Sequence, residues 1–200
     1  MEQTDHVNRL VASMTLSEKA SLLSGADKWR TKAVPRVGLD CVTVSDGPHG
    51  LRKEVRDPDN GLTTVRSTCF PTASATACSF DRALLFRVGA ALAEECRAEG
   101  VDVLLGPGLN CKRSPLCGRN FEYFSEDPVV SGELAAAYIE GVQSRGVGAS
   151  MKHFALNNQE YRRLTTDAVV DERAMFELYL AGFERVLRQV QPWTVMCSYN

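Results

Sequence analysis

The sequence predicts an α/β fold built on a parallel sheet. Three observations carry the prediction: amphipathic helical stretches with clear caps and stops, short continuously apolar runs between them, and polar segments directly after those runs. Thr15-Leu16-Ser17-Glu18 has capping-box spacing and Gly25 stands where a left-handed stop belongs, so Leu16 to Ser24 reads as a short helix. A second helix starts near Ser79 to Asp81, with Leu84, Leu85, Val88, Leu92 and Cys96 on one face and Gly100 at its end. Asp127-Pro128 caps a third, whose stripe Val130, Leu134, Ala137, Tyr138 and Val142 stops at Gly146. Asp171 opens a fourth, carrying Met175, Leu178, Tyr179, Phe183, Val186 and Leu187 until Pro192 forbids continuation.

The apolar runs are Cys41 to Ser45, Val101 to Leu105, Val147 to Phe154 and Thr194 to Ser198, with a weaker candidate at Ala73 to Ala77. A continuous apolar run between amphipathic helices reads as a strand covered on both faces. SDGPHG, GPGLNCKRSPLCGRN, NNQEYRR and SYN follow the four main runs. In a parallel α/β sheet such segments sit at the carboxyl ends of the strands, where ligands bind. A complete eight-unit barrel needs about 250 residues, so these 200 residues with about five strands are expected to stop partway through the fold.

With 44% hydrophobic and 24% charged residues the chain has the composition of a globular protein. A net charge of −2 with both signs scattered argues against a nucleic-acid or anionic-membrane partner. The longest uncharged stretch, Ser67 to Phe80, is rich in Ser and Thr and cannot be a membrane span. MEQTDHVNRLVASMTL lacks the basic start and apolar stretch of a secretory signal, so the cytoplasm is the expected compartment. The seven cysteines include no CxxC pair; reduced thiols are expected, Cys111 and Cys117 included, and no zinc site. No Walker or dinucleotide glycine pattern calls for a nucleotide.

Four places offer chemistry. Asp46 in SDGPHGLR is either part of a tight turn or a carboxylate accepting from a ligand diol, with Arg52 bracing it. Gly118-Arg119-Asn120-Phe121-Glu122 offers a guanidinium fork and a carboxylate between aromatics, which suits gripping hydroxyls; a structural ion pair from Arg119 to Glu122 or Glu126 is the competing reading. Lys152-His153 ends an otherwise apolar buried run and needs acceptors there. Successive strand residues face opposite ways, so both reach one ligand only through a bulge or twist; a satisfied core histidine beside a surface-reaching lysine is the alternative. Met196 is commonly core filling, and Tyr199 at a strand end could supply a hydroxyl.

Read together and in order, SDGPHGLR, GPGLNCKRSPLCGRNFEYFSEDP, VGASMKHFALNNQE followed by Arg162 or Arg163, DERAMFELYLAGFE and TVMCSYN resemble glycoside hydrolase family 3, the β-glucosidase family. The resemblance runs from about Leu16 to Asn200. It implies an incomplete (β/α)8 TIM-type barrel, about its first five strands, with residues 1–200 the amino-terminal part of the barrel domain, truncated before the nucleophile strand. By motif match Asp46, Arg52, Arg119, Lys152 and His153 resemble the polar ring around the sugar, and Met196 and Tyr199 the pair flanking the reactive carbon. The implied activity is hydrolysis of terminal β-D-glucosyl residues of β-glucosides or oligosaccharides by a retaining mechanism, with two carboxylates about 5 Å apart. The family's nucleophile, in a Ser-Asp-Trp-like motif, and its acid/base are expected beyond Asn200, so no residue here is assigned to catalysis and the 200 residues alone are expected to be inactive. A β-xyloside is the alternative substrate; a non-catalytic remnant or weak sugar-binding module is the alternative function. Lys152-His153-Phe154 continues as Ala-Leu-Asn-Asn-Gln-Glu, unlike the KHFPGHG signature of N-acetylglucosaminidase-type members. No cofactor or metal is implied, and the oligomeric state is left open. An open parallel sheet exposes an edge strand and apolar helix faces, so self-association is expected.

Overall fold

The structure, a computed structural model, describes residues 2–200. The chain forms two compact units, Met1–Val44 and Ser45–Asn200. The first holds helices α1 (Glu2–Ser13) and α2 (Leu16–Ser21) and a 3-10 turn at Pro35–Val37. The expected capping box forms: Glu18 N donates to Thr15 Oγ1 at 3.2 Å and Thr15 N donates to Glu18 Oε2 at 2.8 Å. Arg36 donates to both oxygens of the same carboxylate, at 2.8 and 2.5 Å. That hydrogen bonding holds Glu18 down to about 2. The helix ends at Ser21, three residues before the position read from the sequence.

The second unit alternates strand and helix. Its main sheet has the order β1 (Val44–Asp46), β4 (Val103–Leu105), β5 (Gly148–Phe154), β6 (Thr194–Cys197). The β4–β5 and β5–β6 pairs are parallel. Between β1 and β4 come an antiparallel hairpin, β2 (Glu54–Asp57) and β3 (Gly61–Thr64), and helices α3 (Ala73–Ala77) and α4 (Arg82–Ala98). Helix α5 (Pro128–Gln143) connects β4 to β5. The segment before β6 is helical from α6 (Glu172–Ala174) through a π turn (Met175–Tyr179) to α7 (Ala181–Leu187). The fold is α/β with a parallel sheet, as the alternation of helices and apolar runs predicts, and it fits the incomplete (β/α)8 barrel that the family resemblance implies.

The caps read from the sequence are in place. Asp81, Asp127 and Asp171 each accept from a backbone N–H of the first turn of the helix that follows. The weaker strand candidate at Ala73 to Ala77 is instead helix α3, capped by Thr72, whose side chain accepts from Ala75 N. Three alanines and a serine among the five residues carry no strand preference, and a cap at Thr72 decides for helix. The hairpin left no apolar alternation to read, since all four residues of β3 are exposed; its turn is closed by Asp57 Oδ1, which accepts from Asp59 N and Asn60 N at 2.9 and 2.8 Å.

Leu85, Leu92, Ala93 and Cys96 of α4 pack with Leu134, Tyr138, Ile139 and Val142 of α5 above Leu104, Ala149 and Met151 of the sheet. The two helices approach through glycines. A Cβ on Gly89 would lie 2.3 Å from the Tyr138 carbonyl oxygen, and one on Gly141 2.1 Å from that of Phe86. Strand β6 departs from its reading as a strand covered on both faces: it lies at the sheet edge, with Val195 44% exposed and neighbouring Trp193 57% exposed. Phe176, Leu178 and Leu187 are exposed as well. Among the described residues no helix is long and apolar enough to cross a membrane.

Candidate functional site

The polar residues gather at the carboxyl ends of β1, β4 and β5. After β4 the loop runs on beside β5, with Lys152 N donating to Pro107 O at 3.0 Å and Leu109 N to Lys152 O at 2.8 Å. Gly108 bridges to Lys152 on one side and Tyr123 on the other. A Cβ there would meet Glu122 O and the Tyr123 ring at 2.9 Å, so only glycine lets the loop thread between them.

The β5–β6 register shifts between Lys152 and Phe154. Asn110 replaces the missing ladder partners at this irregularity: its Nδ2 donates to His153 O and His153 N donates to its Oδ1, both at 2.8 Å. This is the bulge the sequence required for Lys152 and His153 to serve one site. Both residues are buried.

Their partners come from three segments. Lys152 Nζ donates to Asp46 Oδ1 at 2.9 Å and lies 3.6 Å from Glu122 Oε2. Arg119 donates through Nε to Glu122 Oε1 and through Nη2 to His153 Nε2, the latter at 2.7 Å. The Tyr123 hydroxyl is 2.8 Å from His153 Nδ1 and accepts from Asn157 Nδ2 at 2.8 Å. Asn157 Nδ2 also donates to Glu160 Oε1 at 2.9 Å, and Arg163 Nη1 donates to Glu160 Oε2 at 2.9 Å. Three carboxylates thus face three cationic side chains.

Burial pushes the Asp46 carboxyl up, but the charge and hydrogen bond of Lys152 and the charge of Arg119 outweigh it and leave it below the usual range. For His153, burial and the Arg119 and Lys152 charges all act downward, to about 3, so the imidazole is neutral. Burial raises the Tyr123 phenol, which stays protonated. Asp46 keeps 41% of its side chain exposed against 2% for Lys152 and 5% for Glu122, so the aspartate is the reachable member of the trio. Beside it opens a hollow of about 370 Å³ lined by Asp46, His49, Arg52, Phe121 and Glu122, among others.

Asp46, Arg119, Lys152 and His153 therefore form one connected cluster. Arg52 stands at the rim of the hollow and is exposed; its backbone N–H donates to Asp46 O at 2.9 Å. The side chain that braces the Asp46 carboxylate is Lys152, not the expected Arg52: from the buried end of β5 it reaches past β4 to the end of β1. The Arg119 to Glu122 ion pair of the competing reading exists, and the same guanidinium also belongs to the cluster. Met196 is half-buried and pairs in register with Lys152. Tyr199 is 68% exposed, with the Arg163 guanidinium 5.2 Å from its ring centre. Sequence reasoning singled out neither Tyr123, Asn110, Asn157 nor Glu160. The polar run NNQE announced a site segment, but no spacing marks which of its amides turns inward.

The chain matches the description "Glycosyl hydrolase family 3 N terminal domain" over residues 49–200. It belongs to glycosyl hydrolase family 3. Within the family it is similar to thermostable beta-glucosidase B of Acetivibrio thermocellus, 58% identical over 97% of this chain and 26% of that one. An exo-alpha-(1->6)-L-arabinopyranosidase of Bifidobacterium longum is 50% identical over 95% and 26%. Among solved structures, beta-glucosidase 3B of Thermotoga neapolitana in complex with alpha-D-glucose superposes with a TM-score of 0.90 at 46% identity, covering 98% of this chain and 29% of that one. The beta-glucosidase of Kluyveromyces marxianus in complex with glucose gives a TM-score of 0.92 at 40% identity, covering 97% and 23%. The chain spans about a quarter of the length of the curated family 3 relatives it matches.

Proposed function

We propose that this chain supplies the sugar-binding strand ends of a retaining β-glycosidase acting on terminal β-D-glucosyl or related residues, as the amino-terminal part of its barrel domain. One observation carries the reading: Asp46, Glu122, Arg119, Lys152 and His153, from three separate segments, meet in one charge-balanced cluster at the carboxyl edge of the sheet. A pyranose is neutral and rimmed by hydroxyls that each donate and accept. Fixed donors beside fixed acceptors, with no excess charge, suit it. The reachable Asp46 carboxylate accepts from two neighbouring hydroxyls, Arg119 and Lys152 complete the ring with His153 behind Arg119, and Arg52 lies at its rim. Met196 and Tyr199, at the end of β6, flank the reactive carbon. The β-glucosidase relatives, two with glucose bound, support the reading. The arabinopyranosidase relative favours a second substrate class, a pentopyranoside, of which a β-xyloside is one.

Asp46, Glu122 and Glu160 are each bound by a cationic side chain, so none is offered as nucleophile or acid/base. We place those two groups outside these 200 residues, which leaves this chain by itself a sugar-binding element without glycosidase activity. Calorimetric titration of glucose into the intact protein tests the reading. Asp46→Asn is expected to weaken affinity at least about ten-fold, as befits a charge-assisted pair of hydrogen bonds; unchanged affinity sinks the reading. Release of nitrophenol from a nitrophenyl β-D-glucoside by the 200-residue chain would overturn the inactivity claim.

A further inference from the structure

Behind the charged cluster lies a second row, Tyr123 and Asn157, that the sugar reading leaves unused. The His153 ring is held at both nitrogens, with Nε2 2.7 Å from Arg119 Nη2 and Nδ1 2.8 Å from the Tyr123 hydroxyl. A guanidinium has only N–H donors and nothing that accepts, so Nε2 presents its lone pair. The single proton of a neutral ring then sits on Nδ1, and the phenol oxygen is its acceptor. That oxygen is itself located by the Asn157 amide at 2.8 Å, and Asn157 is tied to Glu160. The Tyr123 ring is 1% exposed and stands edge-on to the imidazole, 5.9 Å between centres at 80°. A chain of contacts thus runs from Glu160 through Asn157, Tyr123 and His153 to Arg119.

We propose that Tyr123 is a positioning residue for the sugar site: its hydroxyl, located by Asn157, takes the Nδ1 proton of His153, fixes the ring as the Nδ1–H tautomer, and thereby presents Nε2 as the acceptor that aims the Arg119 guanidinium. Tyr123 itself touches no sugar; it acts through His153. The ring can do this only while neutral, and the charged groups around it favour that state. Burial and the charges of Arg119, Lys152 and Arg163 oppose a proton on the ring, and the charge of Asp46 acts the other way without prevailing. The proposal rests on the sugar reading for its functional consequence, though not for the tautomer.

Long-range proton–nitrogen NMR of labelled histidine in the intact protein reads the tautomer directly. The expected result is a neutral His153 carrying its proton on Nδ1, and a ring protonated at Nε2 or a charged ring at neutral pH overturns the proposal. Tyr123→Phe is expected to perturb those signals and to weaken glucose affinity about ten-fold, equivalent to about 1.4 kcal/mol. In a His153→Ala background the same substitution is expected to change affinity less than about two-fold, because a residue acting only through His153 has nothing left to act on. An equal loss in both backgrounds marks a structural role and also overturns the proposal. Should Tyr123→Phe fail to fold, Asn157→Ala, which keeps the phenol and frees it, is expected to perturb the same signals; unchanged signals count against the idea. If the wild type binds no glucose, the sugar reading fails while the NMR still decides the tautomer.

Discussion

Replacing Lys152 by methionine keeps an unbranched side chain out to Cε and removes the charged Nζ. Lys152 is 2% exposed and lies between Asp46 Oδ1 at 2.9 Å and Glu122 Oε2 at 3.6 Å. Removing one partner of a buried ion pair costs about 3–5 kcal/mol, chiefly because the other is left buried and uncompensated. Glu122 retains Arg119 and Asp46 is partly solvated, so the lower end, about 3 kcal/mol, applies. In a protein of this size that lowers the melting temperature by about 6–12 °C. The substitution also removes the charge and hydrogen bond that oppose the burial of Asp46, so its carboxyl titrates at higher pH. A depressed carboxyl holds its interactions above its unfolded value and loses them as pH falls through the folded one. In Lys152→Met the acid-side loss of glucose binding therefore moves toward neutral pH. Differential scanning calorimetry and glucose titration between roughly pH 3 and 7 measure both effects. A variant that melts with the wild type and keeps its acid limb would refute the idea that Lys152 carries the electrostatics of this site.

His153 makes stability fall on the acid side, where an exposed histidine with an unshifted value would contribute no pH dependence. Its folded value of about 3 lies below the ordinary 6.5, so stability is kept above 6.5 and lost as pH falls below it, with a slope approaching about 1.4 kcal/mol per pH unit; urea unfolding in that window is expected to flatten in His153→Asn. Gly141→Ala puts a methyl 2.1 Å from the Phe86 carbonyl oxygen at the α4–α5 crossing, which should cost at least about 1–3 kcal/mol as overpacking; equilibrium unfolding that matches the wild type would count against that close approach. Burial raises the thiols of Cys96 to about 12 and Cys111 to about 11, whereas Cys41, Cys69, Cys78 and Cys197 are exposed. Timed alkylation with mass spectrometry is expected to label those four first and Cys96 and Cys111 only on unfolding.

Local signals were the legible ones. The caps at Thr15, Asp81, Asp127 and Asp171 act within one helical turn, and the runs at Val101 to Leu105 and Val147 to Phe154 are apolar because the sheet they enter is covered. Hence the helices of the α/β alternation and the segments bearing Asp46, Arg119, Lys152 and His153 could be read residue by residue, and their motifs pointed to the right family. Tertiary structure decided three other things. Core packing of Ala73 and Ala77 settled the helix at Ala73–Ala77, a segment too short to choose for itself although Thr72 caps it locally. Sheet order put β6 at an edge, which depends on neighbours distant in sequence. Pairing across the site gave Asp46 the ammonium of Lys152, 106 residues away, where the sequence had suggested Arg52. It also set Tyr123 and Asn157 against His153. Composition and periodicity record which way a residue faces along its own helix or strand; which side chain meets it there depends on how elements far apart in the chain are brought together, and only the folded protein contains that information.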